Sequence, residues 1–166
     1  MSALTSHEPG TPDEIMVRIR SVIPFVALGG TAVIAGGLVA AVTRPLGFDE
    51  GSWVAAYLVL VMGVAQIGLG VGQAVLARKV PTIAVRWRQV LAFTAGSLAV
   101  VVGTLVESPL AVVAGGAVLV AGLILFLLAV RGSGGPVIWL WFHRLFVAFL
   151  AGSVVVGSVL SFLRHM

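Results

Sequence analysis

Residues 53–77 read WVAAYLVLVMGVAQIGLGVGQAVLA, and residues 78–88 read RKVPTIAVRWR. The first segment carries no charge and exceeds the roughly 20 apolar residues that one helical crossing of a bilayer requires. The second holds Arg78, Lys79, Arg86 and Arg88, four of the ten basic residues of the chain. Bases cluster on the cytoplasmic side of a membrane helix, so the pair predicts both a span and its direction.

The composition agrees. Of 166 residues, 60% are hydrophobic and only 10% charged, and the mean hydropathy is +1.16. A soluble domain covers its core with charged side chains, about a quarter of the chain. This chain lacks that shell, so its apolar residues face lipid. It has no cysteine, which excludes disulfides, thiolate metal sites and thiol chemistry. Arg outnumbers Lys nine to one among abundant Ala, Val and Gly, the usage of a high-GC bacterial coding sequence.

Working outward, the expected architecture is all-α, a single bundle of five transmembrane helices over residues 22–163. The spans are 22–42, 53–77, 89–106, 109–130 and 137–163. Residues 1–21 form a polar tail in which Thr11, Pro12 and Glu14 make a capping box. Ile15, Met16, Ile19, Val22 and Ile23 then share one helix face. They suit either a short interfacial helix or an extension of span one. Arg18 and Arg20 before an apolar run resemble a signal peptide. That run is too long for one and the tail before it is acidic, so a retained anchor is expected. Pro24 is placed in the first turn of span one. Residues 43–52 form a loop, Glu107 and Ser108 a tight hairpin, and Ser108 and Pro109 the start of span four. Residues 164–166 end the chain. No internal repeat is apparent.

Five spans separate the termini. With the N-terminus in the cytoplasm, inner segments hold Arg18, Arg20, Arg78, Lys79, Arg86, Arg88, Arg131 and Arg144, against Arg44 and Arg164 outside. Trp87, Trp139 and Trp141 then mark inner ends, and Trp53 and Tyr57 an outer one. This predicts a multi-pass protein of the cytoplasmic membrane.

Chemistry is sparse. All six acidic residues fall in the tail or the loops, so no intramembrane carboxylate is available to couple ion movement. Gln66 and Gln73 lie seven residues apart on one face of span two, with Gly63 and Gly70 on that face as well. This is either a polar strip lining a path or interhelical hydrogen bonding through a smooth groove. Ala32, Gly36 and Ala40, Gly68 and Gly72, and Ser153, Gly157 and Ser161 form small-residue packing faces. His143 and Arg144 follow WLWF. Arg144 is either an interfacial anchor or, with His143, a site for an acidic lipid headgroup, a quinone or a haem propionate. A bis-histidine haem would need a second chain, because His143 is the only histidine in a span.

No nucleophile–base–acid set, phosphate loop or metal-ligand cluster is visible, and the bases hug the membrane surface rather than forming a nucleic-acid patch. The expectation is a non-enzymatic protein without cofactor or nucleic-acid partner. It would be an accessory or assembly subunit packed on another membrane protein or on itself. A small oligomeric channel lined by Gln66 and Gln73 is the alternative, and a redox protein using His143 is a third.

Overall fold

The computed structural model describes residues 12–132 and 137–163; of the side chains beyond Gly157, only that of Val159 is described. Among the described residues, five helices are long and apolar enough to cross a membrane. They are α1 (Pro12–Leu46), α2 (Gly51–Leu76), α3 (Ile83–Leu105), α4 (Pro109–Ala129) and α5 (Val137–Leu163). No strand occurs among the described residues.

The first helix runs unbroken from Pro12, so of the two readings of residues 15–23 the extension of span one holds, and the separate interfacial helix does not. Its 35 residues extend about 52 Å at 1.5 Å per residue, well beyond a hydrocarbon core about 30 Å thick. Pro12 opens the helix with Asp13 and Glu14 in its first turn, as the capping-box reading placed them, while Thr11 lies outside the described residues. Ile15, Met16, Ile19 and Ile23 are all exposed, an outward apolar stripe on the same helix. Pro24 lies well inside α1 rather than in its first turn. It can supply no N–H to the carbonyl of Arg20, a loss that membrane helices tolerate where neighbours and side chains compensate.

The helix ends follow local chemistry. Gly47, at φ +61°, closes α1: its N–H bonds to the Arg44 carbonyl (3.2 Å), and that of Phe48 to the Thr43 carbonyl (3.0 Å). These two bonds make a Schellman cap. The end of α3 repeats the pattern with Glu107 at φ +51°, bonding Glu107 N–H to Thr104 O and Ser108 N–H to Gly103 O. Ser108 then caps α4 by accepting from the Ala111 N–H, with Pro109 in the first turn, as expected. Thr82 caps α3 by accepting from Val85 N–H. That helix therefore starts six residues before the expected Gln89, and Arg86 and Arg88 ride on its first turns rather than in a loop.

Close packing comes from glycine. A Cβ on Gly29 would lie 2.6 Å from Ile67 Cγ1 and 2.9 Å from the Gly63 carbonyl, and one on Gly36 would lie 2.7 Å from Val59. The α3–α4 hairpin does the same: Gly96 sits against Leu119 and the Gly115 carbonyl, and Gly103 against Ala111 and Val112. The two hairpins share one register. Gly29, Gly36 and Gly96, Gly103 differ by 67 positions, and their partners Gly63, Ile67 and Gly115, Leu119 by 52. The segments 29–38 (GGTAVIAGGL) and 96–105 (GSLAVVVGTL) agree at half their positions. The chain thus carries a repeated packing unit where no repeat was expected.

Of the five spans, α2 is the most enclosed. It touches α1, α3 and α5, while α5 also packs on α4. The apolar core gathers Phe25, Leu69, Val90, Phe93, Leu123, Phe126 and Val147 from all five helices. Phe126 lies 5.5 Å from Phe25 and 6.4 Å from Phe93, centroid to centroid, which ties the two hairpins together.

Candidate functional site: a polar seam between the second and third helices

Gln66 and Gln73 are both buried, and both face α3. The Thr94 hydroxyl donates to Gln66 Oε1 at 3.4 Å. Near the end of α2, Gln89 Nε2 donates to Gln73 Oε1 at 2.6 Å and to the Leu125 carbonyl of α4 at 3.1 Å. At the other end the Tyr57 phenol reaches Ser97. The buried Ser97 hydroxyl stands beside it without a hydrogen bond of good geometry. Two hydrogen-bonded rungs, Gln66–Thr94 and Gln73–Gln89, therefore run along one interface, with Tyr57 beside Ser97 at its other end.

Tyr57 aligns with the rungs because α2 is not α-helical throughout. Leu58–Ala65 forms a π-helix between Tyr57 and Gln66. Nine residues of unbroken α-helix turn through about 900°, which would put the two side chains about 180° apart. The wider i→i+5 turns take up the difference and bring both to α3. This is why spacing alone did not join Tyr57 to the two glutamines. Gln89, Thr94 and Ser97 were legible only as polar residues recurring within a single apolar span.

The glycines expected on the same strip belong to a different interface. Gly63 meets Val33 and the Gly29 carbonyl of α1, and Gly70 accommodates Phe25. Since α2 is central, faces only 40–60° apart meet different neighbours, on a helix that advances about 100° per residue.

The faces expected for packing divide as well. Gly68 meets Phe146, and Gly72 meets His143: a Cβ on Gly72 would lie 2.7 Å from His143 Nδ1. This groove seats α5 on α2. Ala32 and Gly36 are buried, but Ala40 is exposed. Ser153 and Gly157 face outward, and nothing lies within 4 Å of a Cβ built on Gly157. The side chain of Ser161 lies outside the described residues.

His143 and Arg144 do not form one site. His143 turns inward, 6% exposed, with Nε2 buried and unpartnered, whereas Arg144 is exposed. Neighbours on a helix point about 100° apart, so the two cannot grip one small group from the same face. Of the basic residues, Arg78, Lys79 and Arg88 are exposed and Arg86 is partly covered. Arg18 was missed as a structural residue. Its Nη1 donates to the carbonyls of Ala74 (2.7 Å) and Ala77 (3.0 Å) at the end of α2, and its Nη2 to Glu14 (3.1 Å). Cationic donors suit those unsatisfied C-terminal carbonyls.

No group of three or more potential metal ligands occurs among the described residues. Fold and seam together define a multi-pass helical membrane protein with a buried polar interface. No family model, curated protein or solved structure matches the chain.

Proposed function

We propose that this protein is a small, non-enzymatic accessory or assembly subunit of a larger membrane complex. It would sit in a bacterial cytoplasmic membrane with its N-terminus inside and its C-terminus outside. One contrast carries the reading. The glycine pairs at positions 29/36, 63/70, 96/103 and 115/122 are consumed in close contacts within the bundle, whereas Gly152 and Gly157 on α5, like Gly30 and Gly37 on α1, have open space where a Cβ would go. In lipid, small residues let backbones approach and van der Waals packing supplies the association energy, so open faces of this kind suit a neighbouring helix. The inside assignment rests on the eight-to-two distribution of basic residues.

Native mass spectrometry of the protein, extracted from its own membrane in mild detergent, tests the proposal. A stoichiometric complex with a different, larger chain supports it. A monomer or homo-oligomer alone overturns it.

A second reading, a small facilitator, has the polar seam in its favour. Replacing Gln66 and Gln73 by Leu separates the two. Loss of flux with intact assembly supports the facilitator, and unchanged flux excludes a path through the seam.

A further inference from the structure

The seam holds more hydrogen-bonding capacity than its own side chains use. Gln66 is 1% exposed, and its Nε2 has no partner. Interchanging the oxygen and nitrogen of that amide would not remove the deficit. Thr94 satisfies one amide atom in either orientation, and the other stays bare. One turn along α3 lies Ser97, fully buried, whose hydroxyl also has no well-formed bond. An unpaired polar group in an apolar interior is costly; with Gln89 Oε1 the seam holds three, and two of them, Gln66 Nε2 and Ser97 Oγ, stand about one helical turn apart and need an explanation.

Geometry suggests it. Thr94 and Ser97 are three residues apart on a helix, so their Cβ atoms are about 5–6 Å apart. The Gln66 amide head lies against Thr94. The unpaired Gln66 amide, held at Thr94, and the unpaired Ser97 hydroxyl are therefore about one helical turn apart, a spacing on the scale that one oxygen bridges with two hydrogen bonds of about 2.8 Å. The Tyr57 phenol, which the π-helix turns towards Ser97, offers a third contact. Buried waters typically make about three such bonds.

We propose that a single water molecule is bound at mid-bundle between the Gln66 amide, the Ser97 hydroxyl and the Tyr57 phenol, and that it completes the interface between the two hairpins. The site takes a neutral guest of water size with both donor and acceptor capacity. It has no carboxylate to hold a cation: the described acidic residues lie at Asp13, Glu14, Asp49, Glu50 and Glu107, in the first turn of α1 or in the turns between helices.

Radiolytic hydroxyl-radical labelling of the full chain in nanodiscs, read by mass spectrometry, tests this, because radicals formed from a bound water mark the side chains beside it. With rates corrected for intrinsic reactivity, Tyr57 is expected to label several times faster than Phe93, a fully buried ring in the apolar core. In Ser97→Ala and in Gln66→Leu, the Tyr57 rate should fall severalfold from its native value, the remainder coming from the partly exposed side of the ring. Equal rates for the two rings in the native chain overturn the proposal. So does a Tyr57 rate unchanged in Ser97→Ala, the milder variant, which keeps the proposal testable if Gln66→Leu does not fold.

Discussion

Gln89 uses both amide hydrogens inside the bundle, one on Gln73 and one on the Leu125 carbonyl, and so ties three helices from a single position. Side-chain hydrogen bonds between membrane helices contribute about 1 kcal/mol, because the separated helices also find partners. Gln89→Leu should therefore lower unfolding stability by about 1 kcal/mol, measured by reversible unfolding in mixed micelles. A double-mutant cycle with Gln73→Leu should return a coupling of similar size, about 1 kcal/mol. Zero coupling would mean that the 2.6 Å contact contributes nothing. Arg18, on α1, works at the C-terminal end of α2. Arg18→Ala removes two bonds from a charged donor to the end of α2 and should cost about 1–2 kcal/mol. Arg18→Lys should recover only part of that, since one ammonium replaces a planar fork. Hydrogen exchange of the last turn of α2 would localise the effect.

At the scale of helices, the decisive quantity is how near two backbones come. A Cβ on Gly96 would sit 2.6 Å from the Leu119 nitrogen and 2.8 Å from the Gly115 carbonyl, and backbone cannot rotate away as a side chain can. Gly96→Ala should thus force α3 and α4 apart and cost about 1–3 kcal/mol, as overpacking does. Gly152→Ala meets nothing within 4 Å. It should leave bundle stability unchanged or raise it by up to about 1 kcal/mol through helix propensity. Thermal unfolding of the two variants side by side checks the contrast, and equal effects would refute the packing account. The five helices and most of their ends were legible beforehand: Ser108 and Pro109 opened α4 as read, and the length of each apolar run set its span. The early start of α3 was missed because Thr82 caps a turn whose next residues include Arg86 and Arg88, which resemble loop until the cap is seen.

The whole molecule is two hairpins in one register, with α5 seated on α2 through His143 at Gly72 and Phe146 at Gly68. Its proposed direction in the membrane is open to a clean test, because the chain contains no cysteine. Single cysteines at Asp49 and Lys79, both exposed, lie in successive turns. In intact cells an impermeant maleimide should label the Asp49→Cys chain, and the Lys79→Cys chain only after permeabilisation. The reverse pattern would invert the topology. The sequence by itself determined the helical class and the number of membrane-length helices among the described residues, because a bilayer demands long uncharged runs and the backbone must satisfy itself within each helix. It also placed Gln66 and Gln73 on one side of α2. It could not say which neighbour that side meets. In lipid-facing helices apolar residues lie all round, so no polar face marks the outside and hydrophobic periodicity loses its meaning. Only the tertiary structure decided that Gly63 and Gly70 face α1 while the glutamines face α3. It alone showed that the π-helix brings Tyr57 to the seam, and that of His143 and Arg144, adjacent in the chain, the first is buried and the second exposed. Those choices are made by the shapes of glycine grooves and the reach of a few polar side chains, and both depend on helices far apart in the chain.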